Sequence, residues 1–503
     1  MFTPFATLSR RYLKAMYDHK PETARFLGLH EYDGHVSDPS ESGRIARVTE
    51  LRGLLDALER LDGNTLTPLE QLDHALLSTD AARQLFELDD LRAHEWNLLV
   101  YLDGVDVSGY LRREYAPLRE GLRALVAHLR ATPEYLSIAW SHLRPDLPRD
   151  PVQAAVSAYD EQARYLRQDI ARAVHQTYDR QLRTEFERVS EAAIAALEGF
   201  SDRLRERLPI SNGDFALGQR RFERMLGAGE LLDLPISRLL GVGEADLARN
   251  QELLSEAAER AFPGSTPAEA LHALGSEYPR SEQLLPQAEL VLAELRSFLE
   301  EHDIVSIPTG PSCKVVETPA TMCWSLALLD PAGPFENASV ASYYYVTPPQ
   351  AGWSPAERRG WLSRFDPWSL RAVSTHETYP GHYLHFLHLR KAPSEVTRVL
   401  TSYACLEGWA HYAEQMMLEC GYGDGHLKLQ LAQLREALLR NCRYLVSLGL
   451  HTQGMSVDEA TRFFMEHGYL DEPAARQEAQ RGTFDPGYLS YTLGKLMLLR
   501  LRE

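Results

Sequence analysis

The chain has 503 residues, with 53 Lys and Arg against 71 Asp and Glu, for a formal charge of −18. That length can bury a large core or two lobes. An acidic chain without a Lys/Arg cluster argues against nucleic acid and against anionic membranes as partners.

No apolar run reaches the ~18–20 residues of a membrane span. There are five cysteines, an odd number with no Cys-x-x-Cys, which argues against a disulfide framework. Residues 1–305 read as one amphipathic helix after another. Leu51–Leu58 and Ala192–Leu197 show the three-to-four apolar spacing, and prolines at 133, 145, 148 and 151 punctuate the series. The Arg and Glu residues on these helices read as solvated faces. The texture changes near 306, where prolines, glycines and β-formers fill the stretch to 350. Lys314–Thr318 and Ser342–Val346 read as short strands. The expected fold is therefore mainly α, in two lobes, with one small antiparallel sheet. Residues 1–305 would form one wall of a cleft. Residues 306–503 would carry the sheet (306–350), a metal helix near 376–390 and a glutamate helix near 400–420. The two regions are expected to make one structural unit.

The stretch His376-Glu377-Thr378-Tyr379-Pro380-Gly381-His382 places two imidazoles and a carboxylate within seven residues. Zinc peptidases with H-E-x-x-H carry both histidines on one helical face, the glutamate taking a proton from the metal-bound water. Here the histidines are six apart, which on a regular helix sets them about 120° apart. They can share an ion only if the helix breaks, and Pro380-Gly381 supplies a break just before His382. Further on, Glu407, His411 and Glu414 are spaced four and three apart and share one helical face. Glu407 is assigned to the metal. Glu414, with His411 beside it, is assigned to orienting a histidine ligand through its free ring N–H. The reverse assignment of the two glutamates satisfies the same spacing. A solvated Glu/His face is the plainer reading of Glu407 taken alone.

These two motifs, His376-Glu377-x-x-Pro380-Gly381-His382 and Glu407-Gly408-Trp409-Ala410-x-Tyr412-Ala413-Glu414, resemble those of the bacterial family known as domain of unknown function 885. The opening Pro21–His30 segment and the closing Pro486-Gly487…Ser490-Tyr491-x-x-Gly494 element extend the resemblance over nearly the whole chain. The family in turn resembles helical zinc peptidases such as carboxypeptidase Taq, neurolysin and dipeptidyl peptidase three. That resemblance implies one Zn2+ per chain on His376, His382 and Glu407, with Glu377 as general base. It implies Tyr491 or His451 as the oxyanion donor, Tyr488 being a lesser candidate. It also implies a strand at Tyr343–Thr347, including Tyr344 and Tyr345, that grips the substrate backbone, a two- or three-stranded ribbon that only packs being the equal alternative. Arg440 and Arg443 lie three apart on one predicted helix and, with Lys495, are candidates for holding a substrate carboxylate; pairing of both arginines with buried acids such as Glu414 is the equal alternative. The family usually has Asp where Ser447 stands and Tyr where Gly482 stands. Relatives often carry an export signal. Met1–Ala6 does not have the basic-then-apolar pattern of one, so a cytoplasmic location is expected.

The expected function is zinc-dependent hydrolysis of short peptides by a carboxypeptidase or oligopeptidase type of enzyme, with Glu377 assisting attack by zinc-bound water. Two other classes fit the same residues. One is a metal hydrolase of a non-peptide amide or ester. The other is a non-catalytic peptide-binding protein on a peptidase fold.

Overall fold

Short polar residues start most of the helices. In the computed structural model, which describes residues 3–175, 179–319, 322–323, 325–350 and 352–503, Thr3 caps α1 (Pro4–His19) and Ser40 caps α2 (Glu41–Glu59). Thr67 and Glu70 form a reciprocal capping box at the head of α3 (Pro68–Leu85). The apolar stripes of α1, α2 and α3 meet in a core that includes Tyr12, Leu13, Leu51, Leu54 and Leu77. A second core lies among α4 (Leu118–His142), α5 (Arg149–Tyr165) and α6 (Arg180–Arg207), around Leu125, Leu129, Val152, Tyr159 and Phe200. Full burial of each such side chain stabilises by roughly 1.5–3 kcal/mol. Pro133, expected to punctuate, lies inside α4. The buried face of this 25-residue helix outweighs the ~3 kcal/mol cost of an internal proline.

These helices belong to the first of two compact units. It comprises Met1–Leu232 together with Ala332–Val340 and Ala392–Leu400. The division therefore differs from a boundary at 305, because residues 233–331 join the second unit and two later segments return to the first. One returning segment docks where Phe335 N donates to Leu27 O at 3.0 Å. Beside it Gly28 has φ +92°, and a Cβ there would lie 2.6 Å from the Glu336 amide nitrogen. His30 locks the same place. Its ring stacks on Tyr115 at 3.7 Å, and its nitrogens lie 3.1 Å from Glu336 and 3.3 Å from Asp33.

Burial opposes charge on His30, but the hydrogen bonds to Asp33 and Glu336 outweigh it and raise the pKa to about 9. A histidine raised in the fold stabilises fully below its unfolded pKa of about 6.5. That contribution is lost as pH rises through about 9. Partial exposure limits it to on the order of 1–2 kcal/mol. The stability difference between the parent and His30→Gln, from urea unfolding, should therefore be largest at pH 6 and shrink by pH 10. A difference that grows with pH would show that the ion pairs do not carry it.

The second unit comprises Asp233–Pro331, Ala341–Lys391 and Thr401–Glu503. Its elements include α7 (Ile236–Ala261), α8 (Leu284–Glu301), β1 (Cys313–Glu317), β2 (Ala327–Asp330), β3 (Ser342–Val346), α9 (Pro367–Glu377), α10 (His382–Leu389), α11 (Tyr403–Glu419), α12 (Leu427–Thr452), α13 (Val457–Gly468), α14 (Glu472–Phe484) and α15 (Ser490–Arg502). The fold is mainly α, with one three-stranded sheet among the described residues. That sheet is mixed rather than antiparallel. Its order is β1-β3-β2, with β1 parallel and β2 antiparallel to β3. The short Ala327–Asp330 strand, absent from the sequence reading, takes the outer position beside β3. Among the described residues no helix is long and apolar enough to cross a membrane.

Candidate metal centre

Asp366 starts α9 by accepting from the Trp368 and Ser369 amides at 3.1 and 3.0 Å. The helix stops at Glu377 and helical structure resumes at His382. Across the break the Gly381 amide donates to Thr375 O at 3.1 Å. The turn is so tight that a Cβ on Gly381 would fall 1.9 Å from His376 O. This break removes the angular mismatch. The His376 and His382 rings come to 4.8 Å between centroids, 86° apart in plane.

α11 brings Glu407 to the pair. Its placement depends on glycine, because α11 and α15 cross backbone to backbone. A Cβ on Gly494 would lie 1.8 Å from Ala404 O, and one on Gly408 would lie 2.4 Å from the Gly494 backbone. Glu407 Oε2 lies 3.5 Å from His376 Nε2 and 3.2 Å from His382 Nε2. The edge of a tetrahedron with metal–ligand bonds of ~2.0–2.1 Å is about 3.3 Å. These three residues form a potential ligand set whose donor atoms all lie within 4.8 Å of one another. Glu407 Oε2 is buried and has no hydrogen-bond partner, a costly state for a carboxylate unless a cation takes it. Burial alone would raise the Glu407 pKa, but His382 and His376 hold it well below the usual carboxylate range. The residues present fit a tetrahedral Zn2+ with three protein ligands and one open position.

The surrounding groups set the histidine tautomer. Glu414 Oε1 accepts from His376 Nδ1 at 2.8 Å, which leaves the Nε2 lone pair facing Glu407 and His382. Arg440 Nη2 lies 3.1 Å from the same Glu414 oxygen. Burial would raise the Glu414 pKa, but the Arg440 charge, with the hydrogen bond from His376, holds it well below the carboxylate range. His411 is fully buried, with Nδ1 3.5 Å from Glu414 Oε2. Burial, reinforced by the nearby Lys495 charge, pushes its pKa down to about 3. Glu377 Oε2 accepts from the Leu329 amide at 2.9 Å. Burial raises its pKa, and the charges of His376, His382 and Glu407 all act on it. Tyr491 stacks on His376 at 6.2 Å and 18°.

A family model described as "Bacterial protein of unknown function (DUF885)" matches residues 21–503. The chain belongs to the DUF885 family. No curated protein matches it. Two solved structures are similar. One is described as "a putative lipoprotein of unknown function" from Shewanella oneidensis, at 22% identity and a TM-score of 0.81, covering 99% of this chain and 93% of the other. The second, "the putative lipoprotein from Colwellia psychrerythraea", has 16% identity and a TM-score of 0.84, covering 100% and 93%. At these identities the likeness shows the shared fold.

Several sequence-based assignments in this DUF885 chain need correction. Arg440 and Arg443 share a face, but that face is buried against acids. Arg440 pairs with Glu414 and Glu436, and Arg443 holds both oxygens of Glu478 at 2.8 and 2.7 Å. Neither is available to a substrate carboxylate. Lys495 is also buried. β3 is the central strand, with ladder partners on both sides, and Tyr344 and Tyr345 are buried. It cannot add a substrate strand. Tyr344 instead meets Ser374 Oγ at 2.9 Å, supporting α9 from behind. His451 lies eleven residues beyond Arg440 on α12, about 16 Å of helical rise. Its Nε2 is bonded to Gly482 O at 2.8 Å, so it does not join the cluster. Ser447, where the family usually has Asp, donates to Pro486 O at 2.7 Å. A Cβ on Gly482 would fall 2.3 Å from Tyr488 Oη, so Tyr488 occupies the space a side chain there would need.

Three participants escaped the sequence reading. One is the backbone amide of Leu329, which has no side-chain signal. Another is Tyr403, whose ring lies 6.0 Å from Tyr491. Its four-residue spacing from Glu407 was a usable clue. The third is Arg481, which donates to Tyr403 Oη at 3.3 Å.

Proposed function

We propose that this DUF885 protein is a zinc metallopeptidase of short peptides. The observation that carries the reading is the spacing of His376 Nε2, His382 Nε2 and Glu407 Oε2 at 3.5 and 3.2 Å, with the Glu407 oxygen otherwise unpartnered. Zinc, when bound, supplies a Lewis acid that acidifies water and polarises a carbonyl. Glu377 is the general base. Leu329 N–H holds its Oε2, and its carboxylate takes the proton of the attacking water and delivers it to the leaving amine nitrogen. Tyr491, stacked on His376, is the candidate donor to the developing oxyanion. Glu414 and Arg440 keep His376 in the tautomer a metal requires.

Strand addition is reassigned to β2. Thr347 N donates to Leu326 O at 2.9 Å, so in this register the backbone groups of Ala327 and Leu329 point away from β3; Leu329 N–H is held by Glu377 and Ala327 O by Ser325 Oγ, so a peptide is offered Ala327 N–H and Leu329 C=O. An extended peptide laid along that edge runs beside Glu377. The first test is metal content. Protein purified without chelator should carry one zinc per chain by elemental analysis. Metal-free protein that cannot be reconstituted would remove the reading. A cytoplasmic location is part of the same proposal, supported by the odd cysteine count. Recovery of the native protein in the membrane or periplasmic fraction would overturn it.

A further inference from the structure

Four cationic side chains surround the candidate centre, and they differ in what they already hold. Arg440 and Arg443 are held by acids and have side-chain exposures of 7% and 12%. Lys495 is 1% exposed. Arg481 is 24% exposed. Its Nε and Nη2 both go to one oxygen of Asp485, at 3.0 and 2.8 Å. Asp485 is four residues on, so this is a local pair; the fork's other neighbours are neutral phenols, the hydroxyls of Tyr403 and Tyr491, and not a second carboxylate. Among the described residues no second carboxylate lies within ion-pair distance of Arg481. Nη2 also reaches Tyr403 Oη at 3.3 Å. Tyr403 packs edge-on to Tyr491 at 6.0 Å, and Tyr491 stacks on His376 at 6.2 Å. A guanidinium with about a quarter of its side chain exposed and two phenols therefore stand together beside His376.

We propose that Arg481, with the Tyr403 hydroxyl, binds a carboxylate of the substrate and so sets a preference for peptides with a free C-terminus. This rests on the peptidase reading of the same site. A planar fork whose other neighbours are neutral matches a carboxylate, and a charge-assisted pair of this kind discriminates by about ten- to hundredfold. An acidic side chain carries the same group, so the test separates the two sources.

The experiment measures calorimetric binding to the full chain carrying Glu377→Gln, which keeps the peptide intact. The probes are acetyl-Ala-Ala-Phe with a free carboxylate, its C-terminal amide, and acetyl-Ala-Ala-Glu amide. The free acid should bind about ten- to hundredfold more tightly than its amide. Adding Arg481→Ala should bring the ratio near one, and adding Arg481→Lys should keep part of it. If the glutamyl amide binds as tightly as the free acid, the site takes a carboxylate from either source and the proposed preference for a free C-terminus is overturned. Equal binding of acid and amide, no measurable binding of either, or a preference that survives Arg481→Ala overturns the proposal. Zinc content and turnover are read on the parent protein, so failure of the peptidase reading registers separately.

Discussion

Glu377→Gln should lower peptide hydrolysis by ~10²–10⁴-fold, the usual contribution of a general base, while leaving the bound zinc in place. The substitution keeps the shape of the side chain and removes only its capacity to take a proton. Its oxygen can still accept from the Leu329 amide, as Glu377 Oε2 does at 2.9 Å, so the β2 contact survives. None of His376, His382 or Glu407 is altered, and the Glu414 bond that fixes the His376 tautomer lies on the opposite ring nitrogen. Elemental analysis and turnover on the same preparation check the prediction. If the variant keeps most of its activity, the base is another residue. If it loses zinc together with activity, Glu377 contributes to holding the metal.

How much of this centre was legible in the sequence depends on how local each relationship is. The break between His376 and His382 follows from arithmetic on seven residues, and Pro380-Gly381 announces it. The common face of Glu407, His411 and Glu414 follows from helical phase within eight residues. Phase also put Arg440 and Arg443 on one face, but it carries no information about what packs there. Glu478, which takes Arg443, lies 35 residues away on another helix. The role given to Tyr343–Thr347 failed for the same reason. Its composition marks a strand correctly, but central or edge position depends on partners contributed by β1 and β2. β2 itself is four residues long, too short to show an alternating pattern. Arg481 lies just before the Pro486-Gly487 element, and its proximity to Tyr403 spans 78 residues. No periodicity reports such a pairing.

Gly381 makes the local part of that argument testable. Gly381→Ala should destabilise the chain by about 3 kcal/mol and weaken zinc binding by at least ~100-fold, because one added methyl must displace backbone. Its Cβ would fall 1.9 Å from His376 O and 2.4 Å from Thr375 O. Neither oxygen belongs to a flexible side chain that can swing aside. Both lie in the last turn of α9, the turn that carries His376. Relief therefore requires the strands of the break to part, and this opens the 4.8 Å approach of the two imidazoles. Glu407 can no longer reach both Nε2 atoms at once. The comparison with Gly352→Ala isolates the effect, since a Cβ at Gly352 meets nothing within 4 Å. Urea unfolding and zinc calorimetry on the two variants give the answer. If Gly381→Ala keeps both its stability and its zinc affinity, the tight turn at 378–381 is not what holds the histidines together.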